Sequence, residues 1–167
     1  IEKGAMRIRN PLLGGISMQK VEYKTIVVPV DGSENGKRAL QHAISVSERN
    51  EAQLIIVHVA NIVSAISNFD QTPISGGYVS EQIAEDMEET GKEILNDIVK
   101  DVPADLKVKS VFEVGSPGPT VLAVAKKYNA DLIVMGSRGL GPLKGLFMGS
   151  VSSYVTSHST CPVLVVK

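Results

Sequence analysis

From Thr25 onward, short β-branched apolar runs alternate with longer segments whose apolar positions recur every three or four residues. The runs are TIVVPV (25–30), QLIIVHV (53–59), VKSVFEV (108–114), DLIVM (131–135) and PVLVVK (162–167). Each has strand length and the intervening segments have helix length, so the pattern predicts an α/β fold with a parallel sheet and helices on both faces. The second, fourth and fifth runs are nearly continuously apolar, as strands buried on both faces are. The third alternates more and is expected at an edge.

Four helices follow from the intervening segments. Ser33 is placed to cap the first, whose narrow face is Ala39, Leu40, Ala43, Ile44 and Ser47. The second runs from about Ser80 to Val99, with Ile83, Met87, Ile94 and Ile98 inward. The third starts near Ser116, with Pro117 in its first turn and Val121, Leu122, Val124, Ala125 and Tyr128 as its apolar face. The fourth spans about Gly149 to Ser157, with Val151, Tyr154 and Val155 inward. Between the second strand and second helix lies NIVSAISNFDQTPISGGYVS (61–80), read as a mobile surface loop able to cover a site near the strand ends.

The chain of 167 residues suits one domain, and 43% hydrophobic against 21% charged residues gives ample core material. Residues 1–17 lack a sustained apolar pattern and are read as a flexible extension or an expression remnant. Residues 18–167 form the single expected domain. Seventeen basic and eighteen acidic side chains give a formal charge of −1, which argues against a globally basic nucleic-acid or membrane binder. Residues 80–105 carry nine acidic and two basic side chains, read as a solvated helix face. No apolar run approaches the roughly 20 residues of a membrane span. Cys161, the only cysteine, has no partner for an internal disulfide, which agrees with a reducing, cytoplasmic setting.

In an open parallel sheet, ligands bind beyond the carboxyl ends of the strands. The first strand ends in Val30-Asp31-Gly32-Ser33, a carboxylate at the strand tip just before a helix. The fourth leads into GSRGLGPLKGLFMGS, five glycines in fifteen residues, with Arg138 and Lys144 as its cations. Glycine lets the backbone approach a phosphate, and amide hydrogens at a helix start hold its charge. Gly136, Gly139, Gly149 and Ser150 are spaced G-x2-G-x9-G-S.

With that spacing the chain resembles the universal stress protein family, whose nucleotide-binding members carry G-x2-G-x9-G-[S/T] between the fourth strand and last helix. The resemblance runs from about Tyr23 to Lys167 through YKTIVVPVDGS, LIIVHV, VGSP, ADLIVMGSRG, GSVSSYV and CPVLVVK. It implies a Rossmann-like sheet of order 3-2-1-4-5 and an ATP site where the first and fourth strands diverge. Carried over by residue, Pro29, Asp31 and Val59 match positions around adenine and ribose, and Met135 matches another at the fourth strand's end. Gly136, Arg138 and Gly139 match the start of the phosphate loop; Gly149, Ser150 and Val151 match its return. The resemblance implies that Gly139, Gly149 and Ser150 donate to phosphate oxygens and Asp31 holds the nucleoside end. ATP, ADP or AMP would be the ligand, with Mg2+ or Mn2+ held through the phosphates. A homodimer through the last strand is also implied.

Other chemistry is not encoded. Gly36-Lys37 is followed by Arg38, so no P-loop exists, and no G-x-S-x-G elbow appears. His42, His58 and His158 lack metal-ligand spacing with one another or with Cys161. His58 is read as a hydrogen-bonded core residue, and Cys161 as an ordinary half-buried thiol. The expected function is an ATP-dependent stress-response binding module with at most slow hydrolysis. The alternatives are an adenine-nucleotide-hydrolysing or adenylyl-transfer enzyme, and a structural dimer that does not use nucleotide. Enzymes of the first kind carry S-G-G-x-D-S after the first strand, where this chain has Asp31-Gly32-Ser33-Glu34-Asn35-Gly36.

Overall fold

A computed structural model describes residues 21–61, 78–141 and 148–167, with backbone only for 78–84. The expectations for residues 1–17, for most of the 61–80 loop, for the Ile83 side chain and for Lys144 lie outside the described residues. The elements are β1 (Thr25–Pro29), α1 (Glu34–Asn50), β2 (Gln53–Ala60), α2 (Tyr78–Lys100), β3 (Val108–Val114), α3 (Pro117–Lys127), β4 (Leu132–Gly136), α4 (Ser150–His158) and β5 (Val163–Val166). All strand pairs are parallel, in the order β3-β2-β1-β4-β5.

Side chains alternate across each strand, so the apolar runs feed two cores. Ile26, Val28, Leu54, Ile56, Leu132 and Val134 pack with Ala39, Leu40 and Ala43 of α1 and Leu95 of α2. Val27, Ile55, Val57, Ile133 and Met135 pack on the other face with Val121, Val124 and Ala125 of α3 and Val155 of α4. β1, β2 and β4 are covered on both faces, which is why their sequences are continuously apolar. β3 lies at an edge, as its alternation predicts.

Three expectations shift. β5 is not buried on both faces: it is the other edge, and Leu164 is 39% exposed. Among the described residues of α2 the buried positions are Gly91 and Leu95, with Ile94 and Ile98 half-buried, because the helix turns a narrower stripe toward the sheet. Its Gly91 lies against the Phe112 ring of β3, where a Cβ would collide. Tyr154 is 39% exposed rather than inward; its ring covers Gly118 of α3 and stacks on His158 with centroids 4.2 Å apart.

Ser33 caps α1 as predicted, its Oγ accepting from Gly36 N at 3.1 Å. Ser33→Ala removes that acceptor and is expected to cost about 1 kcal/mol in reversible urea unfolding. An unchanged midpoint would show that the helix start is held by other contacts.

Candidate functional site

β1 and β4 are neighbours, but the chain leaves them toward opposite faces: β1 runs into α1, and the segment after β4 returns as α4 against the other core. Their ends therefore part, leaving a crevice at the point where strand order reverses. It forms a cavity of about 410 Å³.

All ten residues singled out from sequence line it: Pro29, Asp31, Val59, Met135, Gly136, Arg138, Gly139, Gly149, Ser150 and Val151. Pro29, Val59, Met135 and Val151 supply apolar wall; Arg138 is exposed and supplies a cation. The structure adds His58, Pro117, Val121, Leu140 and Ser152 to the lining. Pro117 and Val121 were legible only as helix residues, since nothing in their spacing tells that α3 starts beside the β1 tip.

The start of α4 is built differently from that of α1. Gly149 occupies the cap position in extended conformation (φ −80°, ψ 170°) and has no side chain to accept from the first turn. The first-turn N–H groups of Ser150 and Val151 lack partners within the helix, as at any helix start, and both residues line the cavity. Two donors converge on the carbonyl of Ser137: Gly149 N at 2.7 Å and the buried Ser152 Oγ at 2.7 Å. These bonds tie the β4 exit to the α4 start. They also engage the Gly149 N–H inside the protein, so that N–H is not free to donate to a phosphate in this arrangement.

At the β1 tip, Asp31 is half-buried and accepts twice from backbone: Oδ1 from Ser33 N at 3.0 Å and Oδ2 from Leu140 N at 3.2 Å. His58 is hydrogen-bonded as expected but half-buried at the cavity wall rather than in the core. Its Nδ1 lies 2.9 Å from the Val30 carbonyl, which only accepts, so the proton resides on Nδ1. Val30 N in turn donates to Val57 O at 2.8 Å, securing the β1 end to β2. Among the described residues no group of three His, Cys, Asp or Glu side chains could hold a metal ion. Cys161 is half-buried, as expected, beside Ser159.

The model of the universal stress protein family matches residues 22–167. The universal stress protein Sll1388 of Synechocystis sp. is 34% identical over 151 residues, covering 87% of this chain and 98% of that protein. Among solved structures, the protein MJ0577 has a TM-score of 0.76 at 30% identity, covering 88% of this chain and 97% of that one. A universal stress protein solved in complex with cAMP has a TM-score of 0.63 at 25% identity, covering 88% and 99%.

Proposed function

The chain belongs to the universal stress protein family, and from that premise we propose that it is a cytoplasmic ATP-binding module whose conformation or partner choice follows nucleotide occupancy. The observation that carries this reading is the convergence of the β1 carboxylate, the glycine spacing and the uncapped α4 start on one cavity. A volume of about 410 Å³ falls within the size of small-molecule sites. A relative solved with cAMP supports an adenine nucleotide as the ligand class.

In this reading Pro29, Val59 and Met135 flank the adenine and ribose, and Asp31 accepts from the nucleoside. The N–H groups of Ser150 and Val151 and the Ser150 hydroxyl donate to phosphate oxygens, with the helix start favouring their charge. Arg138 adds positive charge at the rim. Gly149 keeps a side chain out of the approach, whereas Gly136 lets the start of α1 come close, a Cβ there standing 2.9 Å from the Asn35 backbone, and Gly139 leaves room for the Asp31 carboxylate. A bound Mg2+ or Mn2+ would neutralise phosphate charge and is carried by the phosphates.

The module is a poor hydrolase. Phosphoryl transfer needs an oriented nucleophile, and among the described cavity residues the Asp31 carboxylate is held by two backbone donors while His58 uses its Nδ1 proton to secure the Val30 carbonyl, so neither has a second side chain orienting it as a base. Turnover is expected well below the roughly 1 to 100 per second of kinases. Heating purified protein, identifying released nucleotide by chromatography, and titrating ATP by calorimetry test the reading. Absence of binding rejects it, and rapid hydrolysis by protein free of contaminating ATPase replaces it with an enzyme.

The same proposal includes a homodimer formed through β5. That strand is an outer edge with Leu164 exposed and Val163 and Val165 half-buried, a surface that a second copy would cover.

A further inference from the structure

The Asp31 carboxylate is wedged between two glycines. A Cβ on Gly36 would stand 3.0 Å from Oδ1 and 3.2 Å from the capping Ser33 Oγ, and a Cβ on Gly139 would collide with Oδ2. Gly139 is not among the described residues with positive φ, so its backbone accepts an ordinary side chain. Among the described residues, its chain neighbours aside, the heavy atoms that its Cβ would meet within 4 Å are Oδ2 and Cγ of Asp31. Among those residues the obstacle to a side chain at Gly139 is therefore one carboxylate, 108 residues earlier in the chain. That carboxylate also accepts from Leu140 N, the next peptide of the loop, while Oδ1 holds Ser33 N at the start of α1.

We infer that Asp31 is the positioning residue of the glycine loop, and that Gly36 and Gly139 are glycine in order to seat its two carboxylate oxygens. One side chain then joins the β1 tip, the α1 start and the first turn of the loop after β4. His58 secures the same tip from behind through Val30. The second glycine of the G-x2-G pair serves the carboxylate first and a ligand second. For the nucleotide, a consequence that rests on the reading above, a ligand donor that engages Oδ2 competes with Leu140 N and frees the loop.

The test uses nucleotide-free protein, with amide hydrogen exchange at Leu140 and thermal unfolding as readouts. Gly139→Ala and Asp31→Ala are each expected to speed Leu140 exchange about tenfold or more, which corresponds to about 1.4 kcal/mol of lost protection. Gly139→Ala should lower the melting temperature of the wild-type chain. In the Asp31→Ala background it should have no further effect on either readout, because the Cβ then has room. Asp31→Asn keeps the volume and the Oδ1 acceptor but presents an amide to Leu140 N, and should speed Leu140 exchange while leaving Ser33 protected. If Gly139→Ala costs the same in both backgrounds, or Leu140 exchanges equally in wild type and Asp31→Asn, the inference is wrong. Should Gly139→Ala fail to fold alone, its recovery on adding Asp31→Ala supports the inference and continued failure overturns it. Lack of ATP binding by the wild type would remove the nucleotide reading and leave these outcomes unaffected.

Discussion

Gly149→Val is expected to weaken ATP binding at least tenfold, about 1.4 kcal/mol. The residue sits at φ −80° and ψ 170°, extended backbone in which valine is at ease. Among the described residues, its chain neighbours aside, a Cβ there meets nothing closer than 3.6 Å, and the bond from Gly149 N to Ser137 O does not involve the side chain. The fold therefore tolerates the change, apart from a loss of about 1 kcal/mol for a β-branched residue at a helix cap. The proposed phosphate site does not tolerate it, because two methyl groups are added at the cavity wall beside the Ser150 and Val151 amides. Calorimetry on protein whose melting curve stays cooperative measures the effect, and Gly149→Ala should lie between wild type and valine. Full affinity in the valine variant would move the phosphates away from α4.

Val165→Pro is expected to abolish the proposed β5 dimer and leave the chain monomeric. The carbonyls of Pro162 and Val166 accept from Ile133 N on β4 and from Ser137 N just after it. Hydrogen-bonding direction has a period of two along a strand, so Val163 and Val165 turn their N–H and C=O groups to the open side. Proline at 165 thus removes a donor from the outer edge and leaves the β4 ladder whole, as edge strands allow. Light scattering on both proteins decides the matter. A monomeric wild type, or a proline variant that stays dimeric, would place the association elsewhere or deny it.

The three central strands were legible because burial on both faces leaves little choice but continuous β-branched residues, and β3 because an edge strand alternates; the local pattern carries both constraints. Of the ten candidate residues, glycine spacing singled out Gly136, Gly139, Gly149 and Ser150, while Pro29, Val59, Met135 and Val151 came from the family resemblance; all ten line one cavity. Strand order was not in the periodicity at all; only the family resemblance supplied it, since nothing local to β4 says that it pairs with β1. Tyr154 and Leu164 follow apolar spacing yet stay partly exposed, because α4 and β5 lie at the rim where covering elements run out. Which groups of the cavity are already bonded within the protein is a matter of tertiary structure. Whether Gly149 N is open to a ligand depends on Ser137 O, and whether Gly139 can carry a side chain depends on Asp31. Sequence pattern reports which face of an element is buried, a short-range property. Where a particular hydrogen bond goes is settled by which distant peptide the packed sheet brings within 3 Å or so, as between Asp31 and Leu140 across 109 positions.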